Sequence, residues 1–316
     1  MSLQRYVFKR VLVTIPVLFG VTLLTFLMMH AIPGDPVDYM LEFAPVGEGV
    51  EDELRAEYNL DKPIWEQYLL WVRDLLFLDF GESIITGRDI GASISSRMPY
   101  TILLGAAAWL IAVGIAIPAG IYAAVNKGQR ADEVSRIGAL FGIAMPNFWL
   151  GLLLLFVFSV HLDWFQVLPP LDASLLSREM LWYLVLPAVT LGTASTALLM
   201  RLMRSSMVEE LNKDYVRTAR AKGLKERTVI LKHVLRNSLI SVVTVAALMI
   251  ASIVDGSVVV EVVFAWPGMG QLIIESIHQR DFPVLQLAVV LIGISIVFAN
   301  LLADIVYAAL DPRIKY

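Results

Sequence analysis

Long apolar stretches of similar length alternate with polar segments along the whole of this chain. A helix needs about 20 apolar residues to cross the hydrocarbon core of a bilayer. Six stretches meet that length or come close to it: residues 11–29, 101–125, 137–160, 183–200, 238–260 and 284–310. The pattern therefore predicts an all-α integral membrane protein with six transmembrane helices.

The composition fits this class and excludes several others. Hydrophobic residues make up 58% of the 316 residues and charged residues 17%, whereas soluble domains carry about a quarter charged residues. The chain has no cysteine, so neither a disulfide framework nor a cysteine-ligated metal site is possible. It also lacks the phosphate-binding pattern G-x-x-x-x-G-K-S/T, the zinc-protease pattern H-E-x-x-H and the nucleophile elbow G-x-S-x-G. We therefore expect no catalytic residue, no metal or cofactor bound by this chain, and no nucleic-acid partner.

The distribution of Lys and Arg predicts the orientation of the spans, because loops rich in these residues remain cytoplasmic. Most of the 25 Lys and Arg residues lie near the N-terminus, in residues 126–136, in residues 201–236 or at the C-terminus. Residues 37–97, in contrast, are rich in acids. Both termini of this multi-pass cell-membrane protein are therefore expected in the cytoplasm, with the acidic segment outside.

The chain is thus expected to have three parts: residues 1–32 with the first helix, an extracytoplasmic loop at 33–98, and a transmembrane core at 99–316. Within the loop, apolar residues recur at helical spacing and predict an amphipathic helix. They are Trp65, Tyr68, Leu69, Val72, Leu75 and Leu76. This helix either lies on the membrane surface or on the spans, or it contacts a ligand. In the core, Pro146 and Asn147 predict a kink in the third span.

The longest strongly basic stretch, residues 211–237, connects the fourth and fifth spans. Its pattern predicts a short helix over residues 215–222, which Gly223 ends in the left-handed conformation. A second helix is predicted over residues 226–236, leading into the fifth span. The two helices, with small residues on the first, would form a compact knob on the cytoplasmic side that fits a groove in a partner protein. The alternative is an ordinary positive loop, which sets topology and attracts anionic lipid.

Two groups of polar residues within the spans are candidates for a translocation path, because ionisable groups in a membrane are costly. Asp255 lies late in the fifth span beside Gly256 and Ser257, and Asp304 lies in the sixth span one helical turn after Asn300. Each group has a structural alternative. Asp255 would reach water near the outer interface, and Asn300 with Asp304 would form an interhelical hydrogen bond that holds the bundle together.

The basic stretch resembles the "EAA" loop of permease subunits in binding-protein-dependent ABC importers. In the family pattern, E-A-A is followed after three residues by Gly. Here Arg217-Thr218-Ala219 takes the place of E-A-A, and Gly223 matches the glycine. The variant Y-V-R-T-A-R-A-K-G-L is characteristic of the dipeptide/oligopeptide/nickel branch. Further matches with that branch are Pro33-Gly34-Asp35-Pro36, Leu60-Asp61-Lys62-Pro63, Asp79-Phe80-Gly81, Arg97-x-Pro99-x-Thr101, the run from Gly256 to Glu261, Pro267-Gly268-Met269-Gly270, and Asp311-Pro312-Arg313.

The resemblance implies a type I ABC importer permease fold, and the long loop after the first helix marks the first of the two permeases in such systems. It implies ATP-driven alternating access with three kinds of protein partner, within membrane lipid. These are a second paralogous permease, two ATPase subunits that bind ATP and Mg, and an extracytoplasmic solute-binding protein. The cytoplasmic coupling loop would be 201–237, with Tyr215, Arg217, Thr218, Ala219, Lys222, Gly223 and Leu224 at the ATPases.

The resemblance also implies the solute, which is expected to be a dipeptide or oligopeptide. The same branch handles glutathione, nickel complexes and some sugars. The main alternative function is a secondary transporter or channel that acts without an ATPase. The lack of a convincing internal repeat weighs against an inverted-repeat transporter.

Overall fold

The fold is described from a computed structural model, which covers residues 3–31, 55–56, 59–170 and 173–310. In the helical stretches 3–7, 251–255 and 306–310 only the backbone is described. The predicted termini and much of the predicted outer loop therefore lie outside the described residues.

The described chain is helical almost throughout. Its helices are α1 (Leu3–Ala31), α2 (Ile64–Leu76), α3 (Ile90–Val125), α4 (Arg130–Ala144), α5 (Asn147–Leu154), α6 (Arg178–Tyr183), α7 (Val185–Leu211), α8 (Asp214–Ala221), α9 (Glu226–Thr228), α10 (Leu235–Val263), α11 (Met269–Gln279) and α12 (Phe282–Leu310). Two π-helical segments extend them: Leu155–His161 continues α5, and Val229–Val234 joins α9 to α10. The prediction of an all-α membrane protein is confirmed.

Five described helical segments are long and apolar enough to cross a membrane, and the number rises to six if the bent pair α4 and α5 is one span. The bend between these two helices is 106°. It lies at Pro146, where the sequence predicts a kink. Proline disfavours the helical conformation of the residue before it, and Met145 is accordingly extended at φ −82° and ψ 122°. The span count and the orientation of the termini remain predictions.

The observed helices extend beyond the predicted spans at two important places. α3 begins at Ile90 and not near residue 101, because Asp89 caps its first turn by accepting a hydrogen bond of 2.5 Å from the Ala92 amide. α7 continues past residue 200 to Leu211, so the first third of the predicted coupling loop is helical. Apolar length marks the part of a helix within the membrane and not the ends of the helix.

α7 is the central helix of the bundle and packs against α3, α4 and α10. Small residues bring α3 and α7 into close contact. A Cβ atom added at Gly192 would lie 2.7 Å from the Ala108 carbonyl oxygen, and one added at Gly120 would lie 2.6 Å from Met203 Cβ. The close packing of α3 on α7 thus depends on the absence of side chains at these positions.

This packing predicts that Gly120→Val destabilises the protein by about 1–3 kcal/mol through overpacking. Gly114→Val is the matched control, because Gly114 is on the same helix and an added Cβ there meets no described atom within 4 Å. Thermal unfolding of the two purified variants in detergent measures the difference. Equal loss of stability in both variants would show that the contact between α3 and α7 is looser than described.

The predicted amphipathic helix is present as α2, and it packs on α1. The Tyr68 hydroxyl hydrogen-bonds with the Thr22 hydroxyl at 3.0 Å, and its ring centroid lies 5.3 Å from that of Phe26. Trp65 and Leu69, which belong to the predicted apolar face, are exposed. These contacts support the interpretation of a helix that lies on the spans.

Candidate functional site

The predicted short helix of the basic stretch is α8, and it ends in a Schellman motif. Gly223 has φ +74°, the left-handed conformation that the sequence predicts at this position. Its amide donates to the Arg220 carbonyl at 2.9 Å, and the Leu224 amide donates to the Ala219 carbonyl at 3.4 Å. These are the two hydrogen bonds of the motif. They close the helix and turn the chain back toward α9.

One face of α8 packs on the transmembrane bundle. Val216 is fully buried and Ala219 is 8% exposed. Both belong to one apolar cluster with residues of α3, α7, the π-helical segment and α10: Ala112, Ala116, Ala124, Leu199, Met203, Met207, Val229, Val234, Val242 and Ala246. α8 therefore shares one apolar cluster with three of the long helices, and its principal neighbour is the π-helical segment Val229–Val234.

A polar contact fixes the start of α8 to its neighbours. The Tyr215 hydroxyl donates to Glu210 Oε2 at 2.6 Å, and Asn237 Nδ2 donates to the Tyr215 oxygen at 3.2 Å. Glu210 also accepts a hydrogen bond from Lys213. Burial, and then the hydrogen bond to Glu210, raise the pKa of Tyr215 above its ordinary value. This hydroxyl stays protonated at physiological pH and joins the end of α7 to the start of α10.

The opposite face of α8 is exposed and cationic. Arg217 has 75% of its side chain exposed, and Thr218 and Lys222 are also exposed. Arg220 pairs with Glu226 across the turn, through contacts of 3.1 Å to Oε2 and 2.6 Å to Oε1. The helix, the turn at Gly223 and the start of α9 therefore form one compact unit. The unit lies within the basic stretch, residues 211–237. We call this stretch the coupling segment, after its predicted role.

The structure separates the predicted coupling residues onto two sides. Tyr215 and Ala219 face the bundle, whereas Arg217, Thr218, Lys222, Gly223 and Leu224 are exposed. The small side chain of Ala219 serves the packing of α8 on the spans and is not part of the exposed surface. The part of the knob that is open to a partner consequently carries charged side chains together with the small residues Thr218 and Gly223.

The predicted path residues of the sixth span connect two helices. Arg10 of α1 pairs with Asp304 of α12 at 2.8 Å. Asn300, one turn earlier, is exposed. The structural alternative assigns to Asn300 and Asp304 a contact that holds the helices together. Asp304 makes such a contact, and its partner is Arg10. A role of these residues in a path stays a prediction.

Of the predicted path residues of the fifth span, Gly256 lies at the contact of α10 with α7 and Ser257 is buried. Ser257 is 1% exposed. A Cβ atom added at Gly256 would lie 3.5 Å from a Leu191 methyl group. The side chain of Asp255 lies outside the described residues. A path through this group also stays a prediction.

A buried carboxylate that the sequence analysis does not single out connects α3, α10 and α11. Glu261 is fully buried. Its Oε1 accepts a hydrogen bond of 2.8 Å from the Thr101 hydroxyl, and its Oε2 accepts one of 2.6 Å from the Gly270 amide. The Met269 amide in turn donates to the Thr101 oxygen at 2.8 Å. The carboxyl group thus lies against amides at the start of α11 that have no partner within the helix, where acceptor oxygens are favoured.

Two glycines allow this carboxylate to approach the backbone. A Cβ atom added at Gly268 would lie 2.5 Å from Glu261 Oε2, and one added at Gly270 would lie 2.6 Å from Val258 Cα. Trp266, between α10 and α11, is fully buried and its indole donates to the Tyr100 carbonyl at 2.9 Å. The run from Trp266 to Gly270 is therefore a rigid connection between α10, α11 and α3.

The described polar contacts join helices of the bundle and leave one cationic surface exposed on α8. Within the part of the chain that the structure describes, no group of three or more His, Asp and Glu residues is placed to hold a metal ion. Organised polar contacts occur in the coupling segment at one end of the bundle and in the Glu261 connection between α3, α10 and α11.

Comparisons with known proteins match nearly the whole chain to membrane components of transport systems. Residues 116–316 match the family described as "Binding-protein-dependent transport system inner membrane component", and residues 3–105 match the N-terminal family of such membrane components. The oligopeptide transport system permease protein AppB of Bacillus subtilis (strain 168) is 41% identical over 314 residues, covering 98% of this chain and 99% of the relative.

Two further relatives carry related names. The dipeptide transport system permease protein DppB of Escherichia coli (strain K12) is 36% identical over 335 residues, with 99% of each chain covered. The glutathione transport system permease protein GsiC of the same strain is 41% identical over 313 residues, covering 98% of this chain and 99% of the relative. This chain belongs to the family of inner membrane components of binding-protein-dependent transport systems, and is a multi-pass, non-catalytic permease of the cell membrane.

Proposed function

We propose that this permease forms half of the translocation path of an ATP-driven importer, and that its coupling segment receives the movement of cytoplasmic ATPases. The observation that carries the proposal is the two-sided packing of α8. Val216 and Ala219 pack on the spans, while Arg217 and Lys222 face outward. Transmission requires an element that contacts both the ATPase and the spans, because each state must be stabilised by different contacts.

The mechanical properties of the segment suit this role. Its helix is closed by the hydrogen bonds around Gly223, and the Arg220–Glu226 pair crosses the turn. A rigid unit deforms little when it is pushed, so most of its displacement reaches the residues packed against it. Since the apolar cluster beneath α8 includes α3, α7 and α10, movement of α8 would bias the arrangement of several spans together.

The partners and solute follow from the family. A second, paralogous permease would complete the path, and two ATPase subunits would bind ATP and Mg on the cytoplasmic side. A solute-binding protein would deliver the solute from outside. The relatives are named for oligopeptide, dipeptide and glutathione transport, and all three solutes contain peptide bonds. We therefore propose a dipeptide or oligopeptide as the solute of this system.

Charge reversal on the exposed face tests the docking proposal. Arg217→Glu with Lys222→Glu is expected to weaken binding of the cognate ATPase to the purified permease pair by about tenfold, since the variant would present acids to a partner surface that matches cations. Lys127→Glu with Arg130→Glu is the control. It makes the same charge change in the exposed turn between α3 and α4.

The result expected for the control is unchanged binding of the ATPase. If both double variants bind it equally well, the docking proposal is wrong. Uptake of solute by the permease pair in proteoliposomes without any ATPase would instead favour a secondary transporter or channel.

A further inference from the structure

A cavity of about 270 Å³ lies between α3, α4 and α7, at the same end of the bundle as the coupling segment. Its volume is several times that of a water molecule in the liquid, which is about 30 Å³. Arg136, Arg201 and Arg204 line it, together with the hydroxyl-bearing Ser135. Nothing in the coupling role or in the Glu261 connection uses this cavity.

The cavity has an excess of positive charge. Arg204 is held by Asp132 through contacts of 2.5 and 2.7 Å, and this acid is 3% exposed. The pair fixes the guanidinium of Arg204 at the cavity wall. Arg136 and Arg201 are exposed, and neither forms an ion pair with any residue that the structure describes. One acid therefore faces three cations, and two of the cations are available to an anion.

The remaining walls of the cavity are apolar. Leu140 and Ile143, one and two turns after Arg136 on α4, have exposed fractions of 63% and 43%. They lie within the predicted third span, whose apolar stretch starts directly after Arg136. Cations thus stand at the predicted membrane surface, and apolar side chains continue from them toward the membrane interior.

We propose that this cavity binds the phosphate headgroup of an anionic phospholipid, with an acyl chain along Leu140 and Ile143. Arginine forms paired hydrogen bonds with phosphate oxygens, and basic recesses between transmembrane helices on the cytoplasmic side suit anionic headgroups. The cytoplasmic placement rests on the orientation in the proposed function. Free phosphate shares the headgroup chemistry but makes no use of the apolar wall.

The consequence is a lipid contact close to the coupling segment. Arg201 and Arg204 are in the second half of α7, and the following residues of that helix lead directly to α8. A lipid bound here would hold α4 against α7, which is the helix that α8 must move. Occupancy of the cavity would therefore influence the ease with which the bundle changes its arrangement.

Native mass spectrometry of the full transporter complex, released from phosphatidylglycerol nanodiscs, measures the bound lipid. Arg136→Gln with Arg201→Gln is expected to lower the bound phosphatidylglycerol per complex at least threefold. Arg130→Gln with Arg227→Gln removes two exposed cations outside the cavity and is expected to retain it. Arg204 is left in place because it pairs with Asp132. Equal retention, or equal loss, in the two double variants would overturn the proposal.

Two further experiments distinguish a bound phospholipid from free phosphate and from another protein subunit. Inorganic phosphate at millimolar concentration is expected to leave the lipid in place, and displacement would identify a site for free anions instead. A photoreactive side chain at Leu140 is expected to cross-link to lipid. Cross-linking to another subunit would show that the cavity is a protein interface and would also overturn the proposal. Lipid occupancy is measured without solute or ATP, so its outcome is independent of whether the transport proposal holds.

Discussion

Replacing Gly223 with valine is expected to reduce ATP-driven solute uptake by roughly 5- to 150-fold while the protein still inserts into the membrane. Gly223 has φ +74°, and a β-branched residue held in this conformation costs about 1–3 kcal/mol. Loss of a typical coupling free energy, about 1–3 kcal/mol, corresponds to about a 5- to 150-fold change. The end of the helix would rearrange. The exposed residues near Gly223 would then no longer move together with the residues of α8 that pack on the spans.

Uptake and ATP hydrolysis are measured together in proteoliposomes that contain the complete complex. Hydrolysis is expected to continue without the matching uptake. Gly128→Val is the matched control, because Gly128 has φ +79° in the turn between α3 and α4 and an added Cβ meets no described atom within 4 Å. It introduces the same backbone strain outside the coupling segment. If the control loses as much uptake, strain at this end of the bundle, and not the coupling segment, is responsible.

Replacing Glu261 with alanine is expected to lower the free energy of unfolding of the permease by several kcal/mol. The change leaves the Thr101 hydroxyl and the Gly270 amide without their buried acceptor, and each such loss costs about 1–3 kcal/mol. Glu261→Gln is expected to lose less. Its amide oxygen can accept from Gly270, and its NH₂ group can donate to the Thr101 oxygen.

Chemical unfolding of the purified variants in detergent measures these effects. Glu275→Ala is the control, because the Arg97–Glu275 contact of 3.1 Å also connects α3 with α11 but is partly exposed. A pair of this kind contributes about 0–1 kcal/mol. A similar decrease in the free energy of unfolding for Glu261→Ala and Glu275→Ala would show that the buried hydrogen bonds of Glu261 stabilise the protein no more than the exposed pair does.

The sequence predicts the membrane-spanning parts of the fold because the physical requirement is local. About 20 apolar residues must be contiguous to cross a bilayer, and the end of α8 at Gly223 depends on one residue that tolerates a left-handed conformation. The break at Pro146 is likewise a local effect. Its bend of 106° cannot be predicted from a single proline, which indicates where the helix breaks but not by what angle.

The ends of the long helices are less accessible from the sequence. Asp89 starts α3 well before its apolar stretch, and α7 continues through charged residues to Leu211. Hydropathy carries no signal for these polar helical turns. A capping acid before a run of small and polar residues would have predicted the start of α3.

The roles of individual site residues depend on contacts across long distances in the chain. The spacing of Val216 and Ala219 is that of one helix face, and in hindsight it indicates which side of α8 is buried. Glu261 has no such local signal. Its partner Thr101 lies 160 residues away, and an acid near the end of a span is equally compatible with contact to water.

Cross-linking from the exposed face of α8 tests the coupling proposal most directly. The chain has no cysteine, so single-cysteine variants of the permease react at one position only. Lys222→Cys, in the complete complex, is expected to cross-link to an ATPase subunit, whereas Ala219→Cys on the buried face of the same helix is expected to give no such product. A complex in which Lys222→Cys captures no ATPase, while Arg130→Cys in the turn between α3 and α4 does, would contradict the account.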